Sequence, residues 1–160
     1  MIVFWLLIGL IAATFLVSWL GVRSPLLADN QAKVRVALAI WFVAAGILHF
    51  TATKIEILMM PAFLPFKVAL MYISGLAEIA GGIGLVIPRL QRAAGVGLIV
   101  LLLAVFPANI NAAVNDITGP GLINDPWQQW ARLPLQFVLM AIIAWATFTP
   151  ASHATLAKHA

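Results

Sequence analysis

The sequence predicts an all-α integral membrane protein, on the strength of two observations. Of the 160 residues, 64% are hydrophobic and 9% are charged, whereas a soluble domain has about 25% charged residues. The apolar residues also fall into five runs of the kind that form membrane-spanning helices. The nine Lys and Arg residues lie singly between these runs, as residues that set membrane topology do. The net charge of +4 therefore does not indicate a nucleic-acid partner.

The first predicted span, residues 1–22, carries no charge. A signal peptide would have a basic start and a shorter apolar region. We therefore expect a retained N-terminal transmembrane helix, with a cleaved signal as the alternative. A polar loop, residues 23–35, follows this span. The four further predicted spans are residues 36–53, 68–88, 93–115 and 133–148.

The segment between the second and third spans, residues 54–67, is too apolar for a free loop and too short to cross a bilayer. Pro61 and Pro65 limit any helix in it to short pieces. We therefore expect an interfacial segment that lies over the mouth of the helix bundle. The turn at residues 89–92 is short, which makes the third and fourth spans antiparallel neighbours.

The distribution of basic residues predicts the orientation, because five spans place the two termini on opposite sides. The 23–35 loop, the 89–92 turn and the tail at residues 151–160 carry six of the Lys and Arg residues, and the other side carries three. The positive-inside rule places the richer side in the cytoplasm. We expect a bacterial inner-membrane protein with its N-terminus outside and its tail in the cytoplasm.

A single charged residue, Glu78, lies near the middle of the third span. A carboxylate at this depth is costly and normally faces the bundle interior or a wet cavity. The residues on the same helix face are mostly small: Met71, Ser74, Gly75, Gly81, Gly82 and Leu85. Small residues let neighbouring helices approach closely, so we expect a packed face. Two interpretations remain: a protonated glutamate that holds two helices together, or a ligand- or proton-binding site.

Further polar residues of the spans gather in the outer half of the bilayer and predict a pocket that has Glu78 at its floor. Glu78 would lie roughly 16 Å below the outer end of its span. The other candidate ligand- or proton-binding residues are His49, Ser74, Asn109, Asn111, Arg132 and Gln136.

Each of these residues also has a purely structural alternative. Arg132 is expected to reach the lipid headgroups, to pair with Asp116 or to turn inward toward Glu78. His49 is either a proton carrier or a hydrogen-bonded interfacial side chain. Pro107 frees a backbone carbonyl one turn earlier, and we expect one of the two asparagines to satisfy it while the other faces the pocket.

The absence of cysteine from the sequence excludes disulfides, Cys-ligated metal or iron–sulfur sites and thiol chemistry through a CxxC pair. Two of the three histidines, His153 and His159, belong to the tail. A His-rich metal or haem site is therefore not expected, and neither is any other metal site.

Spans two to five resemble the DoxX-like integral membrane proteins. The motifs that carry the resemblance are GILHF at 46–50, MPAFLP at 60–65, YISGLAEIAGGIGLVIP at 72–88, AVFPANINAA at 104–113 and RLPLQ at 132–136. The resemblance implies an up-down four-helix transmembrane bundle, residues 36–150, to which the first span adds an N-terminal transmembrane helix. The family positions it implies are His49, Glu78, Pro107, Asn109, Arg132 and Gln136.

The family takes its name from a subunit of a thiosulfate:quinone oxidoreductase, some members sit beside redox or oxidative-stress partners, and a eukaryotic relative is an assembly chaperone for nicotinic receptors. With no nucleophile or cofactor motif in view, we expect an accessory or assembly subunit that binds a hydrophobic ligand or a membrane partner and is not an enzyme on its own. A homodimer is compatible with the lipid-facing surface of the helices.

The first alternative is a quinone-binding subunit of a membrane oxidoreductase, in which Glu78 and His49 handle protons and Arg132 or Asn109 polarises a carbonyl. A quinone site needs an apolar slot with one or two hydrogen-bond donors. The second alternative is a small transporter, with which the acid near the midplane and the break at Pro107 are compatible.

Overall fold

The computed structural model describes residues 2–21, 24–117 and 126–149, and all regular structure in these ranges is helical. The helices are α1 (Ile2–Trp19), α2 (Asn30–Thr51), α3 (Thr53–Met59), α4 (Lys67–Val86), α5 (Gln91–Val114) and α6 (Pro126–Phe148), with a 3₁₀ turn at Pro25–Leu27. The predicted tail at 151–160, Arg23 of the predicted loop and residues 118–125 lie outside the described residues.

Four helices, α2, α4, α5 and α6, are long and apolar enough to cross a membrane. The prediction of an all-α membrane protein is confirmed to this extent. The first predicted span corresponds to α1, an apolar helix whose 18 residues include no charged side chain.

Two helices begin earlier than the predicted spans. Helix α2 begins at Asn30 and not at Val36, because the Asp29 side chain caps it by accepting a 2.6 Å hydrogen bond from the backbone N–H of Ala32. Such a cap satisfies one of the free N–H groups of the first turn. Helix α6 begins at Pro126, a residue that suits the first turn because no donor is needed there, and not at Leu133.

Helix α4 packs against both α2 and α5, α6 packs against α5 and α2, and α1 lies against α2. Helices α2 and α4 run antiparallel, since Gly46 meets Gly75 near one end and Ala39 meets Gly82 farther along. The buried core between the helices is formed by Leu7, Val34, Leu38, Phe42, Leu85, Leu98, Leu102, Leu139, Ile143 and Ala146.

This packing gives the protein two distinct ends. One end, called here the His49 end, holds the last turns of α2 and α5 and the first turns of α4 and α6. The opposite end, with the start of α2 and α5 and the close of α4 and α6, is called the Arg35 end. Arg35 ties α2 to α6 there, because its Nη1 donates a 2.7 Å hydrogen bond to the Ala146 carbonyl oxygen.

Large apolar side chains on the outer faces of the helices are exposed. Ile73 and Leu76 on α4 are 61% and 59% exposed, and Val100 on α5 is 58% exposed. Continuous apolar surface of this kind is rare on soluble monomers. A lipid bilayer is the environment in which these faces are compatible with a stable fold.

Candidate functional site

The close approach of α2 and α4 is what builds the site. A Cβ atom added to Gly46 would lie 2.6 Å from the Gly75 carbonyl oxygen, and one added to Gly75 would lie 2.8 Å from the His49 Cβ. Both distances are shorter than van der Waals contact, so only glycine fits at either position. The two backbones therefore touch one turn away from His49, and His49 on α2 reaches Glu78 on α4.

The predicted packed face of α4 is buried except at Gly81, which is half-buried. Met71, Ser74, Gly75, Glu78, Gly82 and Leu85 are all buried, together with Gly84. The Ser74 hydroxyl donates a 2.8 Å hydrogen bond to the Met71 carbonyl oxygen of its own helix. Ser74 thus shares the face of Glu78, but it bonds within α4 and does not bridge to another helix.

His49 lies between two carboxylates. Its Nδ1 contacts Oε2 of Glu56 on α3, and its Nε2 lies 3.4 Å from Oε2 of Glu78 on α4. The Glu78 side chain is 11% exposed. His49 Nδ1 and the two Oε2 atoms are buried and have no hydrogen-bond partner in the described part of the chain. One imidazole thus joins three helices.

The trio is acidic, because two carboxylates share a single imidazole. With both carboxylates ionised, its net charge is −1 if the imidazole is protonated and −2 if it is neutral.

Arg132 lies near this trio at the start of α6. Its Nη1 donates a 3.4 Å hydrogen bond to Oε1 of Gln129, and its charge interacts with both Glu56 and Glu78. No described carboxylate, Asp116 included, lies within 4.0 Å of the guanidinium. Of the three predicted arrangements, the structure thus favours the inward one, in which Arg132 offsets the charge of the trio without a direct ion pair. His49, Glu56, Glu78 and Arg132 are called here the His49 cluster.

A second polar group links α5 and α6 beside the cluster. The Asn109 amide donates a 2.7 Å hydrogen bond to Oε1 of Gln136. The buried Gln136 amide in turn donates to the Leu102 carbonyl oxygen, which neighbours the carbonyl that Pro107 leaves without a donor. The freed carbonyl itself is that of Leu103, four residues before Pro107. Asn109 donates to Gln136 and Asn111 donates to Met59, so the prediction that one of the asparagines satisfies this carbonyl is wrong.

Asn111 holds α3 over the His49 end. Its amide donates a 2.9 Å hydrogen bond to the Met59 carbonyl oxygen at the end of α3. Lys67 Nζ donates a 3.1 Å hydrogen bond to the carbonyl oxygen of the next residue, Met60. These two bonds fasten the short helix, and with it Glu56, against the membrane-spanning helices.

Glu56 is the residue of the cluster that sequence reasoning missed. It is the sole acidic residue of the 54–67 segment, and it follows His49 by seven positions, the spacing that places two residues on one helix face. That spacing was the available signal. The chain bends at Ala52 between α2 and α3, yet the two side chains still meet.

The seven predicted site residues therefore divide into groups. The structure brings His49, Glu78 and Arg132 together, pairs Asn109 with Gln136, and directs Asn111 to α3 and Ser74 to its own helix. His49, Glu56 and Glu78 are in direct contact and Arg132 lies near them, whereas a cavity of the structure lies at the Arg35 end. Within the described ranges, no group of three or more His, Cys, Asp or Glu side chains is arranged to hold a metal ion.

Among models of known protein families, that of DUF8561, described as a domain of unknown function, matches residues 38–149. This stretch extends from α2 to the end of α6 and includes the whole His49 cluster. No curated protein and no solved structure matches the chain.

Proposed function

The chain belongs to DUF8561, a family of unknown function, and we propose that it is an accessory or assembly subunit of the membrane that binds a hydrophobic ligand or a membrane partner at the His49 cluster. The observation that carries the proposal is the position of His49 between Glu56 and Glu78, within an otherwise apolar set of helices. Ionisable side chains inside a membrane are costly and mark functional sites by default.

The surroundings of the cluster have the general form of a small-molecule site, in which apolar walls carry a few convergent polar groups. Arg132 and Asn109 supply hydrogen-bond donors, and Glu56 and Glu78 supply acceptors. Helix α3 covers these groups and depends on two hydrogen bonds, from Asn111 and Lys67. A ligand or a partner helix would lie between α3 and the membrane-spanning helices and would bond to polar groups on both sides.

A retained ligand tests this function. Native mass spectrometry of the protein extracted with its own lipids is expected to show a bound small molecule on the wild type. Glu56→Gln and Glu78→Gln each remove a charged acceptor, and loss of a hydrogen bond to a charged group corresponds to a roughly ten-fold or greater loss of affinity. Both variants are therefore expected to lose most of the bound molecule.

Asp116→Asn is the matched control, because it makes the same carboxylate-to-amide change at an exposed residue outside the cluster. Asp116 has a φ of 47°, a conformation that asparagine tolerates well. The control is expected to retain the ligand. Equal retention by all four proteins would contradict binding at the cluster. If none of the proteins retains a molecule, the ligand form of the proposal fails, and cross-linking at α3 is then the test for a membrane partner.

The second candidate is a quinone-binding subunit of a membrane oxidoreductase. The placement of His49 between two carboxylates favours it, because these groups can carry protons and reduction of a quinone consumes protons as well as electrons. In this function Arg132 or Asn109 would donate a hydrogen bond to a quinone carbonyl, and a redox partner would deliver the electrons. The mass of the retained molecule separates a quinone from a lipid.

We also propose how the helices lie in the bilayer. Helices α2, α4, α5 and α6 form an up-down four-helix transmembrane bundle like that of the DoxX-like proteins, and α1 is an additional N-terminal transmembrane helix. The antiparallel contacts of α2 with α4 support the bundle. The bias of Lys and Arg supports a bacterial inner membrane, with the Arg35 end and the C-terminus in the cytoplasm.

Single cysteines test this orientation cleanly, because the chain has none of its own. Phe63 lies between α3 and α4 and is 80% exposed, and Leu90 lies between α4 and α5 and is 48% exposed. In intact cells a membrane-impermeant maleimide is expected to label Phe63→Cys and not Leu90→Cys. Permeabilised cells should show labelling of both, and labelling of Leu90→Cys alone in intact cells would contradict the proposed orientation.

A further inference from the structure

A basic cavity of about 300 Å³ lies at the Arg35 end, on the far side of the protein from the His49 cluster. Four helix ends meet around it. Its polar lining consists of Arg35, Arg89, Gln91, Arg92, Thr147 and Thr149. Its volume is at the lower limit of small-molecule pockets, which suits a ligand the size of a lipid headgroup.

The positive charge around this cavity is largely uncompensated. Three guanidinium groups surround it, and the nearest described carboxylate is that of Asp29, 4.0 Å from Arg35 Nη2. Arg89 and Arg92 make no ion pair and no side-chain hydrogen bond within the described residues. Like charges held around one space repel each other, so an anion in the cavity would stabilise the arrangement.

The backbone at the cavity adds further donors. Helix α5 begins at Gln91 and has no side-chain cap. The N–H groups of Arg92 and Ala93 donate to no backbone carbonyl. Free N–H groups and the positive end of the helix dipole favour a negative group at such a terminus. The three arginines and the helix start therefore favour the same kind of ligand.

The Arg35 side chain is already held in place at the cavity. It is 16% exposed, and its Nη1 bonds to the Ala146 carbonyl oxygen, so binding does not have to immobilise it. Arginine is the side chain that matches phosphate oxygens by paired N–H donors. The cavity lies at the ends of four helices that are long enough to cross a bilayer, which is the level of the lipid headgroups.

We propose that this cavity binds a phosphate group whose negative charge is not neutralised within the same headgroup, carried either by an anionic phospholipid or by a soluble phosphate compound. The site is separate from the His49 cluster and does not depend on the function proposed for it. Basic pockets between membrane helices are a known type of headgroup site.

The test uses the full chain in neutral detergent. Binding of phosphatidylglycerol and of phosphatidylcholine is measured by native mass spectrometry and by the shift in melting temperature. We expect at least ten-fold tighter binding of the anionic lipid. Arg89→Gln and Arg92→Gln are each expected to weaken that binding about ten-fold, since each removes a charge-assisted hydrogen bond. Both side chains are exposed, so neither change disturbs the packing.

Lys54→Gln is the control, because it removes one exposed positive charge at the opposite end of the protein, and it is expected to bind the anionic lipid as the wild type does. Competition by millimolar inorganic phosphate would identify a soluble phosphate compound as the source, and tight lipid binding without competition would identify the headgroup. Equal binding of both lipids with no effect of phosphate would overturn the proposal. So would a Lys54→Gln loss as large as the arginine losses, because it would show general charge attraction.

Discussion

Replacement of His49 by alanine is expected to destabilise the protein by about 3–5 kcal/mol, the usual cost of removing one partner from a buried charge pair. The change leaves the Glu56 and Glu78 carboxylates facing one another across the space that the imidazole filled, and it removes the group that joins α2 to both α3 and α4. The measurement is the free energy of unfolding by dodecyl sulfate in mixed micelles.

A double-mutant cycle separates this electrostatic effect from the loss of side-chain volume. In a Glu78→Gln background, His49→Ala is expected to cost clearly less, because one of the two charges is already gone. With Asp116→Asn, which lies outside the cluster, the costs should simply add. Additive costs with Glu78→Gln as well would show that the imidazole acts by packing alone, and the ion-pair account of the cluster would be wrong.

A triple replacement tests whether the charges of the cluster serve folding or ligand binding. A buried ion pair is often no more stabilising than an apolar replacement of similar volume. A triple replacement of His49, Glu56 and Glu78 by leucine, glutamine and glutamine is therefore expected to recover most of the stability that His49→Ala loses. If this protein folds but has lost the retained ligand, the charges serve binding and not folding, as the proposed function requires.

The packed face of α4 could be predicted from the sequence because it depends on local geometry alone. The helical period places Met71, Ser74, Gly75 and Glu78 on one side, and the small residues among them indicate a close neighbour. His49 and Arg132 could be assigned to the same end of the protein by counting residues from the ends of their spans. Their inclusion in the site needed no knowledge of side-chain contacts.

Other features depend on contacts between distant parts of the chain. The composition of the 54–67 segment predicts a cover over the bundle, but it does not specify that the bend at Ala52 brings Glu56 onto His49. Gln136 reaches the Leu102 carbonyl oxygen and Asn111 reaches α3 because of the way the helices lie against one another. The basic cavity forms where four helix ends meet, so Arg35 is far in sequence from Arg89 and Arg92 and the three gave no motif.

The glycine contact between α2 and α4 leads to the second large effect. Gly46→Ala is expected to cost about 3 kcal/mol, near the upper end for overpacking, because the new Cβ would lie 2.6 Å from a backbone oxygen of Gly75 that cannot rotate away. Gly75→Ala should cost somewhat less, since its nearest contact is the His49 Cβ at 2.8 Å. Unfolding in mixed micelles measures both.

Gly97→Ala on α5 is the matched control, because a Cβ there would meet nothing within 4 Å. It is expected to leave stability unchanged or to raise it slightly, because alanine has a higher helix propensity than glycine.

Gly46→Ala and Gly97→Ala are also expected to differ in ligand retention. Separation of α2 from α4 would lengthen the 3.4 Å contact of His49 with Glu78, so Gly46→Ala should lose the retained ligand and Gly97→Ala should keep it. If Gly46→Ala loses stability yet keeps the ligand in full, the cluster does not depend on the close helix approach, and the assignment of ligand binding to the His49–Glu78 contact would have to be abandoned.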